Sequence, residues 1–168
     1  MKVLVFMLKQ DDPFKCTASK LVKFGLAQAV QYFHRDTLVL NPFAEILLSR
    51  QDLKISSSIC AIDCSWQRAS NFLRQRHFRF HRVGRRLPLL LAANPTNYSK
   101  AGLLSTAEAL AGSLYILGHK DMAAEFMNKF KWGHTFLELN CNLLEDYASV
   151  ETAEQIAELE REYFPQVS

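Results

Sequence analysis

Between Arg68 and Arg86 the sequence interleaves bases with rings, through Phe72, Arg74, Arg76, His77, Phe78, Arg79, Phe80, His81, Arg82 and Arg85. Guanidinium groups neutralise phosphates and aromatic rings stack on unpaired bases, so such a strip has the chemistry of a nucleic-acid contact. Arg79, Arg82 and Arg85 are the residues expected on phosphates, with Lys15, Lys20 and Lys23 as a second basic group. The same strip also suits a solvated helix followed by an edge segment whose Phe78 and Phe80 point inward.

The run Ile62-Asp63-Cys64-Ser65-Trp66 puts an acid and a large ring just past the carboxyl end of an expected strand, where parallel sheets bind ligands. Local sequence allows two roles for Asp63. It can be the N-cap of a helix carrying Trp66, Ala69, Phe72 and Leu73, or a carboxylate that accepts a proton from a substrate. Trp66 can equally be core or a ligand platform. His77 and His81 have helical metal spacing, but Phe78-Arg79-Phe80 alternates as a strand would, which sets them about 13 Å apart. No metal is expected. Cys16, Cys60, Cys64 and Cys141 form no paired CxxC site and read as free thiols. The sequence holds neither GxGxxG nor a Walker P-loop, which disfavours dinucleotide and nucleoside-triphosphate sites.

Positioning such residues requires a scaffold. Short branched apolar runs at Val3 to Leu8, Thr37 to Leu40, Ile59 to Ile62 and Leu89 to Ala92 are expected strands, and helical spacing separates them. Alternation of this kind predicts a parallel α/β sheet. After Pro95 the pattern is helical, over Thr106 to Leu117, Asp121 to Phe130, Thr135 to Tyr147 and Val150 to Tyr163. The expected organisation is an α/β lobe over 1–93 and a helical lobe over 94–168. Ser105-Thr106-Ala107-Glu108 has capping-box spacing, and Gly118 is the matching left-handed stop. In the last helix Val150, Ala153, Ile156, Leu159 and Tyr163 form one stripe, with Glu151, Glu154, Glu158 and Glu160 assigned to a solvated face.

Of 168 residues 49% are hydrophobic and 22% charged, which fits a globular chain and excludes disordered or coiled-coil classes. Net charge is only +3, so nucleic-acid affinity has to come from clustering. The N-terminal apolar run is too short for a signal peptide, and no run approaches the ~18 residues of a membrane span. A reducing cytoplasm and no membrane association are expected.

Taken in order, Asp12 to Thr17, Leu40-Asn41-Pro42-Phe43-Ala44, Ile62 to Trp66, Arg86 to Tyr98, Leu104 to Leu110 and Phe130-Lys131-Trp132-Gly133-His134-Thr135-Phe136 resemble the small-subunit ribosomal RNA aminocarboxypropyltransferase family. The resemblance runs from Met1 to about Tyr147; Ala18 and Ser99 stand where glycine is expected. It implies kinship with the knotted, SPOUT-type RNA methyltransferases and a deep trefoil knot around the cofactor. It also implies the use of S-adenosylmethionine, without metal, on a pseudouridine, often already N1-methylated, of small-subunit rRNA or the pre-ribosomal small subunit; a monomer is expected. Residue by residue it places the cofactor on Thr17, Ile62, Leu87, Gly102 and Thr106, with Trp66 beside the reactive side chain. Asp63 is then the candidate group to take the proton of the attacking ring nitrogen. The rival readings are a knotted RNA methyltransferase and a non-catalytic RNA-binding ribosome assembly factor.

Overall fold

The computed structural model describes residues 1–7, 16–63 and 83–166, and the architecture below refers to these. Strand β1 (Lys2–Met7) is followed by α1 (Thr17–Lys23), β2 (Gln28–Val30), β3 (Leu38–Leu40), a 3-10 turn (Arg50–Lys54), β4 (Ser58–Asp63) and β5 (Gly84–Arg85). Helices α2 (Thr106–Ile116), α3 (Lys120–Met127), α4 (Gly133–Leu139), α5 (Cys141–Ser149) and α6 (Ala153–Tyr163) complete the chain. The five strands form one sheet of order β2-β1-β4-β3-β5, parallel at every pairing.

The centre of the sheet is β1 beside β4, in register from Lys2 opposite Ser58 to Met7 opposite Asp63. Val3, Leu4, Val5, Ile59, Cys60 and Ala61 are buried consecutively, because a central parallel strand is covered on both faces. Helix α2 carries the core onward, with Ala107, Leu110, Ala111, Leu114 and Ile116 fully buried. A helix apolar nearly all round has to lie inside. Its ends are as the sequence predicts: Ser105 accepts from the Glu108 N–H, Glu108 bonds back to Ser105 N–H, and Gly118 takes φ +86°.

The expected knot is corrected by this architecture: the described strands make one five-stranded, all-parallel sheet, and that sheet is not a knot. Leu89 to Ala92 is not a sheet strand either. Its apolar run is extended, but apart from a single bridge from Leu91 to Ala101 its main chain is held by loop carbonyls and amides and by side chains. The helix expected over Thr135 to Tyr147 is two helices that meet at Asn140, whose side chain bonds Leu91 N–H at 2.7 Å and Leu91 C=O at 2.8 Å. Ser99, standing where glycine is expected, has φ +63° and is the one non-glycine with positive φ among the described residues. No helix among those residues is long and apolar enough to cross a membrane.

Candidate functional site at the carboxyl ends of the strands

From β1 the chain turns to β2 on one side, then crosses to place β3 beyond β4, so the strand order reverses between β1 and β4. Crevices outside the carboxyl ends at such a point are where open parallel sheets bind ligands. Asp63 ends β4 there. Its Oδ1 accepts from Thr106 Oγ1 at 3.0 Å and its Oδ2 from Cys16 Sγ at 3.0 Å. Cys16 is the N-cap of α1, where its sulfur also accepts from Ser19 N–H at 3.3 Å. Thr17 Oγ1 accepts from Ala107 N–H at 3.2 Å, so the first turns of α1 and α2 are tied to each other and to the end of β4. Burial pushes the Cys16 thiol above its usual value, the Ser19 contacts pull it down, and the bond to Asp63 raises it again. The thiol therefore keeps the proton it donates.

Beside this clamp opens a cavity of about 330 Å³, with mostly apolar walls from Leu40 to Pro42, Ala61 and Ile62, Arg86 to Leu89, and Ala101 to Thr106. That volume lies in the range of small-molecule sites. Four residues named from the sequence, Ile62, Leu87, Gly102 and Thr106, line this one cavity. Thr17 does not line it but braces Ala107 behind Thr106. Among the described residues the main chain of Leu87 and the N–H groups of Leu103 and Leu104 make no hydrogen bond. The cavity thus combines apolar walls with main-chain donors and an acceptor. Gly102, at φ +74°, turns the chain at the wall; a Cβ there would sit 3.1 Å from Leu89 Cδ2.

The walls are held by polar side chains that sequence reasoning assigned elsewhere or missed. Glu108, fully buried, does more than close its capping box. Oε1 accepts from the N–H groups of Ala93 and Asn94, and Oε2 accepts from Asn94 Nδ2 as well as Ser105 N–H, all within 3.0 Å. Glu160, expected on a solvated face, is 13% exposed: it takes both guanidinium arms of Arg86 and accepts from Leu89 N–H at 2.7 Å. Only the capping-box spacing hinted at Glu108; nothing local marks Glu160 or Asn140.

Arg85, counted among the phosphate contacts, has to be withdrawn. It is buried, and its Nε donates to Asp52 Oδ1 at 2.8 Å, an ion pair between β5 and the 3-10 turn. Lys20 and Lys23 are exposed on α1. Lys15, Trp66, Arg79 and Arg82, like Cys64, His77 and His81, lie outside the described residues. Among the described residues no three His, Cys, Asp or Glu side chains gather as metal ligands would. Cys60 is buried, which pushes its thiol up to about 12 and leaves it inert.

Comparison with known proteins adds to this geometry. Residues 38–164 match the family described as "Ribosome biogenesis protein, C-terminal". A protein of Methanothermobacter thermautotrophicus named 16S rRNA aminocarboxypropyltransferase is 42% identical over 168 residues, covering 97% of this chain and 98% of its own length. One of the same name from Thermoplasma acidophilum is 46% identical over 160 residues, covering 94% and 95%. The solved structure of the SAM-dependent rRNA:acp-transferase Tsr3 from Vulcanisaeta distributa superposes with a TM-score of 0.87 at 41% identity, over 98% of this chain and 89% of that one.

Proposed function

The chain belongs to the 16S rRNA aminocarboxypropyltransferase family, and from that premise we propose that it transfers the 3-amino-3-carboxypropyl group of S-adenosylmethionine to N3 of a pseudouridine or N1-methylpseudouridine in small-subunit rRNA, during ribosome biogenesis in the cytoplasm. The observation that carries the reading is the apolar cavity at the sheet's carboxyl ends, which Ile62, Leu87, Gly102 and Thr106 line together with Leu103 and Leu104, and where the main chain of Leu87 and the N–H groups of Leu103 and Leu104 make no hydrogen bond among the described residues. Apolar walls suit the nucleoside and main-chain donors and acceptors suit its polar edge. When bound, S-adenosylmethionine supplies a sulfonium whose three attached carbons are all electrophilic, and pose decides which of them meets the nucleophile.

In this reading Leu87, Gly102 and the start of α2 hold the nucleoside, Trp66 lies beside the methionine side chain, and the Cys16–Asp63–Thr106 clamp keeps both helix starts in place. Lys15, Lys20, Lys23, Arg79 and Arg82 form the RNA surface of a monomeric enzyme. The test is product identity. Label from the cofactor's carboxyl carbon enters RNA, while methyl label stays on methylthioadenosine. Methyl label in RNA would make the protein a methyltransferase, and no cofactor turnover at all would leave an RNA-binding assembly factor.

Asp63 is the proposed proton acceptor for the attacking ring nitrogen. Asp63→Asn keeps one acceptor, and the Thr106 hydroxyl can rotate to accept from the new amide, so the fold survives with little loss. General-base catalysis contributes ~10²- to 10⁴-fold, and single-turnover transfer by Asp63→Asn falls by that order. A wild-type rate across neutral pH removes Asp63 from the chemistry and leaves it as the clamp between two helices.

A further inference from the structure

One cavity wall, Arg86 to Leu89, is suspended between two anchors. At one end Arg86 N–H donates to Ile46 C=O and its carbonyl accepts from Leu48 N–H, while its guanidinium makes two bonds to Glu160, at 3.0 and 2.9 Å. At the other end Leu89 N–H donates to the same Glu160 carboxylate at 2.7 Å, and Leu89 C=O accepts from the Tyr147 hydroxyl at 3.3 Å. Between the anchors Pro88 has no N–H, and the main chain of Leu87 bonds to nothing among the described residues. One carboxylate therefore fixes both flanks of the segment that presents Leu87.

That carboxylate sits near the end of α6. Ile156 is the one buried residue of α6, and the other apolar side chains of its face are only partly covered. Ala153, Ala157 and Leu159 pack against the core beside Ile156, and the Tyr163 hydroxyl donates to Asp146, so the Glu160 contacts add to this docking the one polar link from α6 to the cavity wall that the described residues show. Arg86 and Glu160 are 30% and 13% exposed at their side chains, so solvent screens the pair only in part.

We infer that Glu160 is a positioning residue: it holds the Leu87 wall in its cofactor-binding shape, and cofactor binding in turn tightens the docking of α6. The two equilibria share one carboxylate, and such coupling is reciprocal by linkage. The inference rests on the reading of the cavity as the S-adenosylmethionine site, and it adds that the C-terminal helix belongs to that site without touching the ligand.

The experiment titrates S-adenosylmethionine calorimetrically into the wild-type 168-residue chain, Glu160→Gln and Glu158→Gln, and follows amide exchange over residues 153–163 with and without the cofactor. Glutamine at 160 can accept from Leu89 or from Arg86 but loses the charge-assisted fork, and its Kd should rise about tenfold, within the usual range of coupling between sites. Glu158, exposed on the same helix, loses the same charge and should leave Kd where it was. In the wild type the cofactor should slow exchange in α6, and Glu160→Gln should abolish that slowing. A wild type that binds S-adenosylmethionine without slowing α6, or a Glu160→Gln variant of lower Tm but unchanged Kd, overturns the positioning role and leaves the cavity reading standing. Equal weakening by Glu158→Gln would reduce the effect to net charge and overturn it as well. A wild type that does not bind S-adenosylmethionine overturns the cavity reading itself.

Discussion

Glu108→Ala should lower the melting temperature by roughly 10 to 20 °C, because it strips the partner from four donors at once. Three of them, Ala93 N–H, Asn94 N–H and Asn94 Nδ2, bond in buried surroundings, and the fourth is Ser105 N–H at the helix start. Each buried donor left unsatisfied costs about 1 to 3 kcal/mol, against a total stability of about 5 to 15 kcal/mol. Glu108→Gln should be only partly tolerated, since both carboxylate oxygens face donors and an amide group at either place sets donor against donor. The same motif recurs at Thr152 and Gln155, where the bonds are exposed. Gln155→Ala should therefore cost no more than ~1 kcal/mol. Thermal unfolding followed by circular dichroism compares the three variants; a Glu108→Ala melt within a few degrees of wild type would show that the 93–94 turn does not depend on this carboxylate.

Gly133→Ala should cost about 3 kcal/mol or more, the upper end of overpacking penalties. A Cβ on Gly133 would lie 1.9 Å from the carbonyl oxygen of Met127 and 2.5 Å from its carbon. Both atoms are backbone, so no rotamer can move aside. The turn joining α3 to α4 has to open, and with it the Phe130 N–H to Met127 C=O bond and the stacking of Phe130 on Trp132. Gly25 is the control: its φ is +71° and nothing lies within 4 Å of an added Cβ. Alanine there meets only left-handed strain, about 1 to 2 kcal/mol. Urea midpoints at constant slope decide the matter, and a Gly133→Ala midpoint no lower than that of Gly25→Ala would mean the turn can shift more cheaply than its geometry implies.

What the sequence made legible follows from which interactions are local. The cores of β1 and β4 are continuous apolar runs, and α2 carries its own start and stop in Ser105, Glu108 and Gly118, so these were readable. Leu89 to Ala92 has the composition of a strand, but composition cannot say whether a main-chain N–H will meet a neighbouring strand or the side chains of Glu160 and Asn140. The break at Asn140 has the same origin, for its amide is drawn to Leu91, 49 residues away. β2 and β5 were not readable because Gln28–Val30 is largely exposed and Gly84–Arg85 is only two residues, so neither offers an apolar run, whereas β3, also three residues, is buried throughout and was marked by one. At the site, Ile62, Leu87, Gly102 and Thr106 came from family resemblance and not from spacing. The clamp on Asp63 joins residues 47 and 43 positions apart, and no local pattern signals it.

The order of strands also constrains how the chain reaches its shape. Lys2 to Met7 can pair early with Gln28 to Val30 across α1, a unit that is complete within the first 30 residues. The other side of β1 belongs to Ser58 to Asp63, so that edge waits until a further stretch has been made. During synthesis the nascent βαβ unit therefore shows an open strand edge carrying Val3, Leu4 and Val5, the kind of edge that templates wrong pairings. The stretch that separates the two central strands sets the length of that interval, and closing so distant a parallel pair is intrinsically slow. Insertions in the largely exposed segment between Val30 and Thr37 should consequently be felt in the yield of folded chain before they are felt in its stability.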